Sequence, residues 1–297
     1  MAEIKKCKLC NSTQFQERKG QIRSSVTIKA TKILECSNCT FVFLNDDSHI
    51  DDSHYENSLM HAGVTTLENW RDETNVDDIR RFNSLKSEID GKKILEVGAG
   101  NCGFIKLSSQ IASEAYAVEP EKKYHKEFKL ENIKILSDTD SLNTKFDSIF
   151  TFHVIEHVKD PLSFVLNLLN LLKLGGKIFI ETPNSNDALI SLYQSNSFQD
   201  FTYWDNHLVL FNNKSFEYLC NKIIGIKYKS IAVQRYNISN HLYWLASGKP
   251  GGHKVWNFLN NEVIENQYKN ILSELGANDT LFYEITKVED KTSLKAS

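Results

Sequence analysis

Apolar positions fall along this chain in two rhythms. Short, mainly apolar runs at residues 94–97, 115–118, 133–136, 146–152 and 177–181 have the length and the β-branched and aromatic content of strands buried on both faces. Between them apolar residues recur at helical spacing. Phe104, Ile105, Leu107 and Ile111 follow the first run, residues 122–131 read as a helix, and Pro161 opens an amphipathic helix that extends to residue 174 and is ended by Gly175 and Gly176. Upstream, Ile79, Phe82, Leu85 and Ile89 form one apolar stripe of a helical region over residues 55–89. Downstream, residues 212–224 are helical, and residues 227–235 and 281–288 read as a sixth and a seventh strand that close the sheet with an antiparallel hairpin. An insertion at 236–280, with an amphipathic helix over 262–275, separates those two strands. Strands alternating with helices predict an α/β fold.

The first run ends in three glycines, Gly98, Gly100 and Gly103. Glycine there lets the backbone take dihedrals denied to side chains and approach a ligand closely. The loop lies where a strand's carboxyl end meets a helix amino end, the place where open α/β sheets bind ligands. Alone, this Gly-x-Gly-x-x-Gly fits nicotinamide or flavin dinucleotides as well as other nucleosides. Glu119 sits at the end of the second strand, where a carboxylate accepts both ribose hydroxyls and disfavours a 2′-phosphate. Glu96, two residues before the first glycine, repels phosphates and suits an amino group.

Four stretches in order then carry a resemblance: residues 95–103, 117–120, 146–158 and 172–184. Together they resemble the class I S-adenosylmethionine (SAM)-dependent methyltransferases. The resemblance implies a Rossmann-like, seven-stranded class I methyltransferase sheet with helices on both faces. It places Glu96, Gly98, Gly100 and Gly103 near the methionine part of SAM and Glu119 on the ribose. It puts Asp138, in the loop 137–139, beside the adenine, and Phe152 with His153 on the cofactor or substrate side. Trp70 and Arg71 belong to helices that cover the cofactor in this family, and they read either as closing over it or as an ordinary packed tryptophan and a surface arginine.

A net charge of −3 offers no basic field for nucleic acid. No run is long and apolar enough for an export signal or a membrane span, which leads to the expectation of a cytoplasmic protein. Cysteine usage changes the picture more. Cys7 with Cys10 and Cys36 with Cys39 are two C-x-x-C pairs that a hairpin can bring together as a tetrahedral zinc site, with two disulfides or coincidence as the alternatives. Four thiolates leave no open position, so a zinc ion here is structural. The acidic connector 46–52 with the nearby His49 and His54 reads as a solvated linker. The expected organisation is a zinc ribbon at 1–45, a connector and covering helices at 46–90, a SAM-binding core at 91–288 and a disordered tail at 289–297.

Candidate chemistry gathers after strands four and five. Helical spacing would put His153, Glu156 and His157 on one face, either bound to the loop or holding a divalent ion. The segment is similar to that of ubiquinone-type phenol O-methyltransferases. The polar-aromatic stretch 201–211 offers Tyr203, Trp204, Asn206 and His207 to an acceptor, with His207 as the base because histidine titrates near neutral pH. Lys249 and His253, in a glycine-rich loop of the insertion, read either as a phosphate cradle or as a plain turn. A cysteine module before a SAM-binding core resembles the deoxysugar C-methyltransferases, which implies a small-molecule acceptor such as a nucleotide-linked sugar. The rivals are a metal-assisted phenol O-methyltransferase and a non-catalytic zinc-ribbon adaptor; the intact glycine loop and Glu119 speak against the adaptor.

Overall fold

The structure is a computed structural model and describes residues 4–23, 31–50, 66–123, 125–126 and 133–295. The expected helix at 122–131 and His54 lie largely or wholly outside the described residues, as do Val26 and Ile28 of the ribbon. Three short strands come first, β1 (Phe15–Glu17), β2 (Ile33–Cys36) and β3 (Val42–Leu44), paired antiparallel. After helix α1 (Leu67–Leu85), strands β4 (Lys93–Val97), β5 (Glu114–Val118), β6 (Lys134–Leu136), β7 (Phe146–Phe152) and β8 (Leu172–Pro183) run parallel to one another. Helix α2 (Gly103–Ser108) follows β4, and α3 (Pro161–Asn170), capped by the Asp160 carboxylate, precedes β8. Helix α4 (Asn196–Thr202), strand β9 (Val209–Leu210) and helix α5 (Asn213–Asn221) come next.

The chain ends with β10 (Ile223–Ile224), β11 (Ile226–Val233), β12 (Thr280–Lys287) and β13 (Ser293–Leu294). The insertion carries helices α6 (Ile238–Ser247) and α7 (Glu262–Glu274) between β11 and β12.

The large sheet has the order β11-β12-β8-β7-β4-β5-β6, with β11 and β12 forming the expected antiparallel hairpin. Chain order reverses between β4 and β7, which opens a crevice beyond their carboxyl ends. Alternation along the strands supplies two cores, one per face. Leu95, Ile149, Ile178 and Tyr283 lie in one; Ile94, Phe150, Phe179 and Phe282 lie in the other, with Phe150 and Phe179 stacked at 5.3 Å.

The first of these cores does not stop at the sheet. It continues through Phe216, Phe211 and Val209 into Phe41, Phe43 and Leu44 of the ribbon. Strand β9 pairs with β3, Val42 opposite Leu210 and Phe43 opposite Val209, so the ribbon becomes a four-stranded sheet completed by the main body. The Phe41 and Phe211 rings meet at 4.9 Å. A module this small lacks apolar surface for a core of its own, and pairing its edge strand both buries it and protects the edge.

Several expectations change. Gly175 and Gly176 do not end a helix; α3 stops at Asn170 and both glycines lie inside β8, beside a register shift against Phe146 and Ser148. A Cβ on Gly176 would stand 3.0 Å from the carbonyl oxygens of Asp147 and Lys173, so the bulge requires glycine. Of the expected stripe Leu85 and Ile89 are buried and Phe82 packs on the same core, but Ile79 is 42% exposed, and the buried face of α1 also includes Trp70, Asp78 and Arg81. The tail is ordered at Ser293–Leu294, which pair with Ile223–Ile224. Among the described residues no helix is long and apolar enough to cross a membrane.

Removing the ring at the ribbon seam should be costly. Phe211→Ala leaves a cavity in a fully buried cluster and is expected to lower stability by about 3–5 kcal/mol, whereas Phe258→Ala, at an exposed position, should stay within about 0.5 kcal/mol. Chemical denaturation of both variants measures this.

Candidate active site

The glycine loop leaves β4 with Gly98 and Gly100 at φ 73° and 53°. A Cβ at Gly98 would meet Val154 Cγ2 at 2.3 Å, and one at Gly100 would meet Trp70 Cζ2 at 3.0 Å. The loop is thus enclosed by the segment after β7 on one side and by α1 on the other. Arg71 Nε donates to the Asn101 carbonyl, a second tie between α1 and the loop. Glu119, one residue past β5, accepts the Gly100 N–H at 2.7 Å and the Glu121 N–H at 3.0 Å, and burial raises its pKa. Glu96 is 4% exposed, its Oε2 has no partner among the described residues, and burial pushes its pKa well up. Asp138 is exposed and caps its own loop through Ser141. Phe152 is buried between Phe104, 4.9 Å away, and the Arg81 guanidinium, 4.4 Å above its ring.

Beyond Phe152 the chain turns sharply. His153 takes a left-handed φ of 57° and donates its backbone N–H to the Glu181 carbonyl. The next residues form a single 3₁₀ turn, Ile155–His157, and not the extended helix face expected. His153 therefore does not join a triad with His157. Its Nδ1 meets Glu156 Oε1 at 3.1 Å, and Arg235 Nη1 donates to its Nε2 at 3.1 Å. Burial lowers its pKa, but the bonds to Glu156 and Glu181 outweigh that and raise it overall.

The structure brings a different third member to Glu156 and His157. Their donor atoms and that of His207 all lie within 4.8 Å of one another. His157 Nδ1 donates to the Asn206 carbonyl at 2.7 Å, which places the ring proton there and makes Nε2 the basic nitrogen. Glu156 is fully buried and accepts the Thr182 hydroxyl at 2.9 Å. Burial alone would raise this carboxyl, yet the neighbouring His153 hydrogen bond and charge hold it down at about 2. His207 departs from expectation: burial, followed by the His157 charge, draws it down to about 3, so it is neutral and weakly basic rather than poised near 7. Trp204 closes the group, its ring 5.5 Å from His207.

Two expected acceptor contacts move elsewhere. Tyr203 is 2% exposed and packs on Gly20 of the ribbon, near Arg18. In the Lys249 and His253 loop, the Gly248 and Gly251 amides bond to Trp244 O and Asn240 Oδ1, so the loop is a helix cap and turn; both side chains are exposed. His49, read as linker, bonds instead to the Asp205 carbonyl beside His207. The four cysteine thiols do converge, with Cys7–Cys39 at 3.6 Å and Cys10–Cys36 at 3.4 Å. These separations are far too long for disulfides and near the roughly 3.8 Å edge of a tetrahedron with sulfurs about 2.3 Å from a common ion.

Reading the sequence missed the charge network over the crevice. Arg81 Nη2 and Nε donate to Glu181 Oε1 at 2.6 and 3.1 Å, and Arg80 Nη2 donates to both Glu181 oxygens at 2.9 Å. Asp77 pairs with Arg80 and Arg235. Adjacent arginines, Arg80 and Arg81, beside two aspartates, Asp77 and Asp78, in one helical turn were the available signal. Burial pushes Glu181 up, but the His153 bond and the Arg81 and Arg80 charges win and hold it well below the ordinary 4.5. A depressed native pKa means that this stability is complete above the unfolded value and is lost as pH falls through it. Glu181→Gln should therefore cost about 3–5 kcal/mol at neutral pH by removing the buried charge that Arg80 and Arg81 share, although each keeps an aspartate neighbour, Asp77 and Asp78. Its stability should also decline less than wild type as the pH falls below the ordinary carboxylate range toward the depressed folded value; identical acid limbs in the two proteins would contradict the pairing.

A family model described as "Methyltransferase domain" matches residues 67–223. Among curated proteins, the chain is 21% identical over 168 residues to ubiquinone biosynthesis O-methyltransferase of Xanthomonas euvesicatoria pv. vesicatoria, covering 50% of this chain and 70% of that one. It is 28% identical over 131 residues to tRNA U34 carboxymethyltransferase of Dichelobacter nodosus, covering 41% of each. A solved SAM-dependent methyltransferase of Thermotoga maritima, described as a possible histamine N-methyltransferase, is similar at 18% identity over 75% of this chain and 94% of that one, with a TM-score of 0.47.

Proposed function

The chain belongs to the methyltransferase-domain family and is a SAM-dependent methyltransferase, and on that premise we propose that its acceptor is a small molecule, a sugar or nucleotide-linked sugar, deprotonated at the His157–His207 pair. The observation that carries the reading is the placement of two half-sites at one crevice: the glycine loop with Glu96 and Glu119 on β4 and β5, and Glu156, His157 and His207 just past β7 and β8. The residues present fit the cofactor: Glu96 offers a buried unpartnered oxygen to an ammonium group, and Glu119 offers carboxylate lone pairs to ribose hydroxyls. When bound, SAM supplies an electrophilic methyl group for in-line displacement.

The chain's own part is alignment and proton handling. Val154 and Trp70 pack against the loop at Gly98 and Gly100 and hold its backbone in place. Asn206 fixes the His157 tautomer so that Nε2 can take the acceptor's proton, and the Glu156 carboxylate stabilises the imidazolium that forms. His207, neutral in this environment, hydrogen-bonds or orients the acceptor beside Trp204, whose ring suits stacking on a sugar or aromatic face. One further observation favours a second reading, a metal-assisted phenol O-methyltransferase: the Glu156, His157 and His207 donors have the spacing of a divalent-ion site.

Incubation with SAM and a panel of nucleotide sugars and phenols, followed by mass spectrometry, tests the acceptor class; turnover of phenols alone, abolished by a chelator, selects the second reading. His157→Ala should reduce kcat by about 10²–10⁴-fold with SAM affinity nearly unchanged, and full activity in this variant removes the assigned base.

The same proposal includes one structural zinc per chain on Cys7, Cys10, Cys36 and Cys39. The hydrogen bond between Cys7 and Cys39 lowers the Cys7 thiol and raises that of Cys39, and burial raises Cys36, so metal binding here would have to displace protons from the cluster. Cys36→Ser should lose the metal in elemental analysis and lower turnover through β9, while calorimetry still detects SAM. Unchanged metal content in that variant rules the ribbon site out.

A further inference from the structure

We propose that Asp78, carried by the covering helix α1, is a second carboxylate for the methionine ammonium of SAM, facing it together with Glu96. The proposal rests on the reading of the crevice as a SAM site and deepens it by one residue that comes from outside the glycine loop. Asp78 is 6% exposed although it lies on a helix face that would ordinarily be apolar. Its Oδ2 accepts the Thr74 hydroxyl at 2.7 Å, and Thr74 in turn accepts from Asn101 Nδ2 of the loop at 2.9 Å. A Cβ on Gly103 would stand 2.2 Å from Asp78 Oδ2 and 3.0 Å from Asn101 Oδ1, so the carboxylate lies directly on the third glycine of the loop.

Glu96 supplies the independent observation. Its Oε2 is buried and has no partner among the described residues, an arrangement that costs free energy unless a donor arrives. After burial, the Asp78 charge is the largest influence raising the Glu96 carboxyl, and burial raises Asp78 itself. A buried carboxylate oxygen without a donor at the end of β4, and a second buried carboxylate on the third glycine of the same loop, together offer acceptors to a cationic group. The Arg81 guanidinium forms an ion pair with Asp78 Oδ1 at 3.6 Å and lowers both carboxyls, but its hydrogen bonds go to Glu181, and Glu96 Oε2 is left without a donor among the described residues. An ammonium group, compact and with three donors, suits a site that offers Glu96 Oε2 and the Asp78 carboxylate better than a bulkier, planar guanidinium does.

The arrangement has a consequence for the helix. Because Asp78 belongs to α1, a ligand with an ammonium ties α1 to the glycine loop, and a ligand without one does not. Calorimetry with S-adenosylhomocysteine and with 5′-methylthioadenosine, which lacks the amino-acid part, separates the two. Asp78→Asn is expected to weaken S-adenosylhomocysteine by about 10- to 100-fold and to change methylthioadenosine by less than about twofold. Glu96→Gln, which keeps the side-chain shape, should show the same dependence on ligand. An equal loss for both ligands would make Asp78 a purely structural residue and overturn the proposal, as would unchanged S-adenosylhomocysteine affinity. A wild-type protein that binds neither ligand would instead remove the SAM site itself.

Discussion

Glu181 carries charge at a place where its side chain has no exposure, and much of the crevice is arranged as the answer to it. Two arginines on successive residues of α1 reach it, and His153 stands 3.5 Å away on the other side. A lone buried carboxylate at the end of a central strand would be strongly destabilising, and with these partners the same group becomes the point that fixes where α1 sits. The helix has little apolar stripe to do that work: its buried face includes Asp78 and Arg81. Charge pairing therefore sets the position from which Trp70 meets Gly100 and Asp78 meets Gly103.

The other half of the site depends on a different constraint, the shared edge of the ribbon. Strand β9 begins two residues after His207, and the Leu44 N–H donates to the Leu208 carbonyl immediately between them. Arg23 bridges to Trp204, and His49 holds the Asp205 carbonyl. The loop bearing Trp204, Asn206 and His207 is thus braced from the ribbon side as firmly as from the sheet. The four-cysteine cluster is coupled to the loop bearing His207 through this pairing and the Phe41–Phe211 contact, together with the Arg23 and His49 ties.

What was legible in the sequence were features set by local chemistry. The apolar runs gave the strands of the large sheet, the three glycines gave the turn from β4 into α2, and the C-x-x-C spacing gave the thiol cluster, because each rests on a short local pattern. What was not legible depends on long-range placement. Glycines can end a helix or make a bulge, and only pairing with Phe146 and Ser148 decides for Gly175 and Gly176. Arg80, Arg81 and Glu181 lie about a hundred positions apart, and nothing local announces their meeting. His207 looked poised for proton transfer because its free pKa is near neutral; burial beside His157 moves it far away, an effect that no sequence pattern carries.

The two halves meet in the five residues after β7, and the geometry there separates holding from chemistry. A left-handed φ at a non-glycine residue costs about 1–3 kcal/mol and persists only where its surroundings fix it. His153 is fixed: its amide bonds to the Glu181 carbonyl, one ring nitrogen to Glu156 and the other to Arg235. With both ring nitrogens engaged, His153 has no lone pair to offer an acceptor, so its histidine character serves to join the Glu181 network to Glu156. That turn sends Glu156 back beneath the loop and sets His157 against Asn206, where one nitrogen is anchored and the other is basic. The strained residue therefore links α1, through Glu181, to Glu156 and His157, while the ribbon braces His207 from the other side through β9.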